Sequence, residues 1–236
     1  MELLQENGLA LRSEGGLKLL KDVGGGSGFG VTLIEADGVN DSQASYSVGS
    51  HTLIAGRLYL LSVHTRGGIP SSVVLSGVTF TLIDSGEQGN GTTALYRCVP
   101  GSNATGAIAI NFSANPSRCS WNLVEATGTA AVSGDNGAAA VLQSADNYSD
   151  GTTTFTVTLP AALSSSADLV VAACTHGNSD EATAEDGWTQ LSHITTGDSW
   201  DRINATFNYK SGTSDNSYSE AWGYNSGSGV ITEIEI

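Results

Sequence analysis

The chain has 236 residues with 9 Lys and Arg against 24 Asp and Glu, a formal charge of −15. That balance argues against binding to a nucleic-acid backbone and against an anionic membrane surface, both of which select for positive charge. With 14% charged and 39% hydrophobic residues, 30 Gly and 1 Met, the composition suits a turn-rich all-β protein rather than a helical or disordered one.

In chain order, the start Met1–Gly8 has neither a basic nor an apolar region of the signal-peptide kind, so none is expected. Residues 1–28 form a distinct arm. From Leu3 they read as octets, each opening with Leu and carrying an acid at its fourth place (Glu6, Glu14, Asp22). Asn7-Gly8 and Gly15-Gly16 are hairpin-turn dipeptides, and Gly24-Gly25-Gly26-Ser27-Gly28 is a hinge. Small hairpins are marginal in water. The arm is therefore expected to order on a partner through Leu3, Leu4, Leu9, Leu11, Arg12, Leu17, Leu19 and Leu20. The alternative is an amphipathic leader packed on its own domain.

Beyond the arm the chain repeats itself. Leu33–Asp41 followed by Tyr46–Val48 matches Leu142–Asp150 followed by Phe155–Val157 at a shift of 109. Leu58–Thr65 matches Leu169–His176 at 111, and Phe112 falls on Trp222 and Glu125 on Glu235 at 110. Two halves follow, 29–128 and 129–236. Strands are predicted over 45–48, 58–65, 78–83, 93–99, 107–112 and 120–125, then over 153–159, 169–175, 188–194, 203–209, 219–224 and 230–236. The expected fold is all-β, a β-sandwich or jelly-roll-like body of two pseudo-repeated halves after a short N-terminal arm, with one shared core or two.

No chemistry stands out along this frame. His51, His64, His176 and His193 lack metal-ligand spacing, and no GxSxG elbow is present. His64 and His176 close equivalent strands and are expected to face loops. Asp37–Asp41 and Asp146–Gly151 could hold Ca²⁺ but read as turns between strands. Asp180-Glu181 and Glu185-Asp186 read as the solvated part of a long loop. Cys98, Cys119 and Cys174 are expected as separate thiols, a Cys98–Cys119 bridge being the other arrangement. Trp188 and Trp222 are expected in the core and Trp200, in a polar loop, as an exposed contact. No catalytic, cofactor-binding or metal-ligating residue is expected.

The Leu-Leu-x-Glu-x-Gly start with its glycine hinge resembles small virion proteins of tailed bacteriophages. The segments Leu58–Arg66, Gly77–Phe80, Thr93–Arg97 and Trp121–Glu125 are similar to a β-sandwich module of phage structural proteins and some bacterial surface proteins. The resemblance implies a virion structural protein assembled in the host cytoplasm and carries over no catalytic residue. Its expected role is capsid decoration or cement, with the major capsid protein or other virion proteins as partners and as a homo-oligomer. The alternative is a tail- or fibre-associated module recognising a host-surface glycan. The charge is unevenly spread: three cations against four acids in the arm, six against twenty in the body. A near-neutral arm can approach protein, while the anionic body repels its own kind and nucleic acid.

Overall fold

The structure is a computed structural model. It describes residues 30–88, 91–129, 135–165, 168–177, 182–197, 202–212 and 214–235, apart from the side chains of 223–225, and the backbone of 5–6, 9–13 and 17–21. In the arm lie β1 (Gln5–Glu6), β2 (Leu9–Ser13) and β3 (Leu17–Lys21). Next come β4 (Gly30–Val39), β5 (Ser45–Leu53), β6 (Leu58–Thr65), β7 (Ser72–Leu75), β8 (Val78–Thr79), β9 (Thr81–Gln88), β10 (Gly91–Cys98), β11 (Ala104–Asn111) and β12 (Cys119–Thr127). A 3₁₀ turn, Ala138–Ala140, leads into β13 (Val141–Thr158), β14 (Leu169–Gly177), β15 (Thr183–Ala184), β16 (Thr189–Thr196), β17 (Ile203–Ser211) and β18 (Ser217–Ile234). The fold is all-β, with every strand pair antiparallel.

A five-stranded sheet runs β4-β12-β6-β10-β9 and a four-stranded one β5-β11-β7-β8. A six-stranded sheet runs β13-β18-β14-β17-β16, with β15 added on β18. The two large sheets have the same order once β4, β12, β6, β10 and β9 are matched with β13, β18, β14, β17 and β16. In the first half the chain leaves one sheet for the other between β4 and β5. In the second, β13 makes the crossing unbroken, through register shifts around Thr152 and a left-handed Gly151 at φ +61°. Its end and the start of β18 thereby fold over the same sheet, which curls toward a barrel.

Three apolar layers result. Tyr46, Val48, Leu61, Val63, Ile108, Ile110 and Trp121 fill the space between the first two sheets. Leu58, Leu60, Leu95 and Val124 meet Leu169, Val171, Phe207, Val230 and Ile234 between the halves. Phe155, Val157, Cys174, Trp188, Tyr218 and Trp222 fill the curled sheet. Trp188 and Trp222 are core, as expected. The halves thus have their own interiors and share a third, so β6 and β14 are buried at every position.

Several expectations need correction. Asp37 lies inside β4, opposite Trp121, and Asp146–Asp150 inside β13. Asp37, Asp146 and Asp150 thus stand on strands with their side chains outward, where strand pairing overrides turn propensity, while Asn40 and Asp41 do fall in the connection between β4 and β5. The strands predicted at 219–224 and 230–236 are one, β18. Its glycines serve packing rather than a turn: a Cβ at Gly229 would lie 2.6 Å from Cys174 Sγ. Strands β4 and β7 were not predicted. Through strand register Glu125, opposite Tyr59, corresponds to Glu233, opposite Val170, not to Glu235. Cys98 and Cys119 pair with opposite ends of β6, at Tyr59 and Thr65, and all three thiols are free and buried.

The halves approach most closely at glycines. A Cβ at Gly86 in β9 would lie 2.8 Å from the Asn147 carbonyl oxygen in β13. Gly86→Val should cost roughly 1–3 kcal/mol by urea unfolding, the usual size for an overpacked interior. Gly101→Val, where a Cβ meets nothing within 4 Å, should leave the midpoint nearly unchanged.

Candidate functional sites

Strands β1, β2 and β3 of the arm pair only with one another among the described residues. Leu11 lies opposite Leu19, Leu9 opposite Lys21 and Ser13 opposite Leu17. Alternation therefore places Leu9, Leu11, Leu17 and Leu19 on one face of the ribbon, and Arg12 and Leu20 on the other. Leu3, Leu4 and Trp200 lie outside the described residues, as do Asp180 and Glu181.

The histidines expected at loops are interior. His64 and His176 are both fully buried. Strand pairing matches His64 with Thr175 and Thr65 with His176, and this offset of one residue turns the two rings to opposite faces. His64 faces the layer between the halves. Its Nε2 lies 2.9 Å from Ser62 Oγ and 3.3 Å from Asn122 Nδ2. Ser192 of the second half donates to Asn122 Oδ1, and Thr93 Oγ1 donates to the Ser228 carbonyl at 3.1 Å. These bonds join the halves at the polar end of their interface. His176 faces the other way and packs on Trp222, with centroids 4.8 Å apart. Burial pushes His64 down to about 3 and, with His193 nearby, His176 as well.

His51 is the more exposed histidine of the first half, and its Nε2 meets Glu35 Oε2 at 2.7 Å. Burial raises the Glu35 carboxyl. Hydrogen bonds from Trp121 Nε1, the Gly49 amide and His51 outweigh it and hold the group below the ordinary range. The arrangement pins β4 to β5 and to the Trp121 ring.

The second half also carries a polar cluster inside its own core. Thr206 Oγ1 donates to Glu220 Oε2 at 2.9 Å, and Tyr218 Oη donates to the same oxygen at 3.0 Å. Asn208 Nδ2 donates to Thr206 Oγ1 at 3.2 Å. Cys174 joins from β14, its thiol pushed well up by burial and by Glu220. Glu220 is 1% exposed. Burial raises its carboxyl to about 7 against the bonds from Thr206, Tyr218 and Cys174. A thiol held protonated by burial and a neighbouring carboxyl is the reverse of an activated nucleophile. The sequence signal for this cluster was the repeat itself. At its shift of 110, Glu220 falls on Ile110.

Among the described residues no three His, Cys, Asp or Glu side chains are grouped to hold a metal ion. No helix is long and apolar enough to cross a membrane. Compared with family models, curated proteins and solved structures, the chain matches none.

The three perturbed groups set opposite pH limbs. A folded histidine held near 3 loses stability as pH falls below its ordinary 6.5, and two do so here. Glu220, raised from 4.5 to about 7, loses stability as pH rises through that window. Two protons outweigh one, so these groups place the optimum near pH 6.5 and give a net slope of about 1.4 kcal/mol per pH unit between 4.5 and 6.5. In His64→Gln that net slope should vanish in chemical unfolding followed across pH; an unchanged slope would show that His64 does not titrate with folding.

Proposed function

We propose that the chain is a non-enzymatic virion structural protein of a tailed bacteriophage, a capsid decoration or cement protein held to the shell by its N-terminal arm. The body is read as two jelly-roll-like sandwiches fused back to back. The observation that carries the proposal is the arm's separate pairing: β1, β2 and β3 form their own sheet, and its register gathers four leucines on one face. Strands of 2 and 5 residues are too short for a sheet stable by itself, so a partner surface completes it. The resemblance of the leader to phage virion proteins and the division of charge support the same reading, with the arm on protein and the acidic body turned outward. The partner is the major capsid protein or another virion protein, and several copies act together.

Co-sedimentation with emptied tailed-phage capsids tests the proposal, using the full chain and residues 29–236. Saturable binding by the full chain, lost without the arm, is expected. Equal binding without the arm would overturn it. So would binding of the arm-less protein to a bacterial glycan array with no capsid binding by either form, which would mark a receptor-binding module.

A further inference from the structure

Strand register allows the two interiors to be compared position by position. On the outer layer, Ile108 and Ile110 lie opposite Val48 and Tyr46, whereas Tyr218 and Glu220 lie opposite Val157 and Phe155. On the inner sheet, the Val63–Ala94 pair of the first half becomes Cys174–Thr206 in the second, and Tyr96 becomes Asn208. An apolar core has thus been rebuilt around a carboxyl group. Its Oε2 takes both hydroxyl bonds, while its Oε1 is buried with no hydrogen-bond partner among the described residues.

The layer lying over this carboxyl is slight. Beside β11 the first half has β7, paired over Ser72–Val74, with β8 beyond it; among the described residues, β18 has beside it only Thr183 and Ala184 of β15. The ionisable groups that act on Glu220 are Tyr218 on its own strand and Cys174 from β14, while His176 packs on Trp222 and Glu185, beyond β15, accepts from the Ser219 amide. From β17, Thr206 and Asn208 are uncharged, and Lys210 is paired with Asp215. From β13, Phe155 and Val157 are apolar, and His193 on β16 acts on His176. Among the described residues no cation meets a carboxylate formed there, and a buried unpaired charge is expensive.

We infer that the outer layer of the second half, 152–158 with 183–184 and 217–222, is a pH-controlled flap that opens when Glu220 gives its proton to solvent, while the matching layer of the first half stays closed. Once open, the carboxylate is hydrated and Trp222 loses its cover. The inference is independent of the capsid reading.

Amide hydrogen exchange on the full chain, corrected for intrinsic rates, tests it with an internal control. The opening constant of peptides covering 152–158 and 217–222 should rise on the order of a hundredfold between about pH 5 and about pH 7, one proton being released on opening. Peptides covering 45–53 and 104–111 should not follow. Glu220→Gln should abolish the rise. An equal response of both layers, or a rise that survives Glu220→Gln, would overturn the flap. Should that variant not fold, Thr206→Val serves: losing a bond that favours the ionised carboxyl must carry the rise on to higher pH before it levels off, and an unmoved upper limit refutes the inference.

Discussion

The layer between the halves is the contact on which the rest of the body depends. Leu58, Leu60, Leu95 and Val124 on one sheet and Leu169, Val171, Phe207, Val230 and Ile234 on the other leave water together or not at all. Because each of these sheets also covers a second interior, β6 and β14 cannot place polar side chains freely on either face. At one end of the layer Ser62 and His64 of β6 meet Asn122, and Asn122 and Thr93 are tied across to Ser192 and Ser228. That end supplies register where the apolar end supplies driving force. Close glycine contacts such as Gly86 against Asn147 let the backbones come near enough for both.

The halves keep one strand order while filling it differently. Trp121 in β12 corresponds by register to Gly229 in β18, and the second half regains bulk with Trp222 where the first has Phe112. Phe155 stacks on Trp222 at 5.5 Å, whereas Tyr46 meets Phe112 edge-on at 5.7 Å. Volume has been moved between neighbouring strands rather than lost, as a close-packed interior requires. The exchange of Ile110 for Glu220 is the one that brings an ionisable carboxyl into the interior.

Much of the architecture was legible because β6 and β14 are compact apolar runs between turns and β17 alternates apolar with polar residues, and Leu58–Thr65 was placed to the residue. The repeat was legible because its spacing hardly drifts. Edge strands were not: β4 and the first part of β13 carry Asp37, Asp146 and Asp150 outward, and an outward Asp beside Gly or Asn reads as a turn. The histidine faces were missed because a shift of one residue between His64 and His176 reverses a side chain without altering strand boundaries. The buried carboxyl escaped because Glu220 stands in a polar stretch, Asn216–Glu220, that gives no local hint of an interior position. The arm's strands β1, β2 and β3 pair with one another.

The central layer also has a consequence for the growing chain. On the ribosome, β4 to β12 can pair as soon as they emerge, but the apolar outer face formed by Leu58, Leu60, Leu95 and Val124 then waits for Val230 and Ile234, about a hundred residues further along the chain. Until those strands arrive, each nascent first half presents an apolar sheet face to its neighbours on the same message. Rapid synthesis of β14, β17 and β18 therefore decides whether that face closes within its own chain or against another.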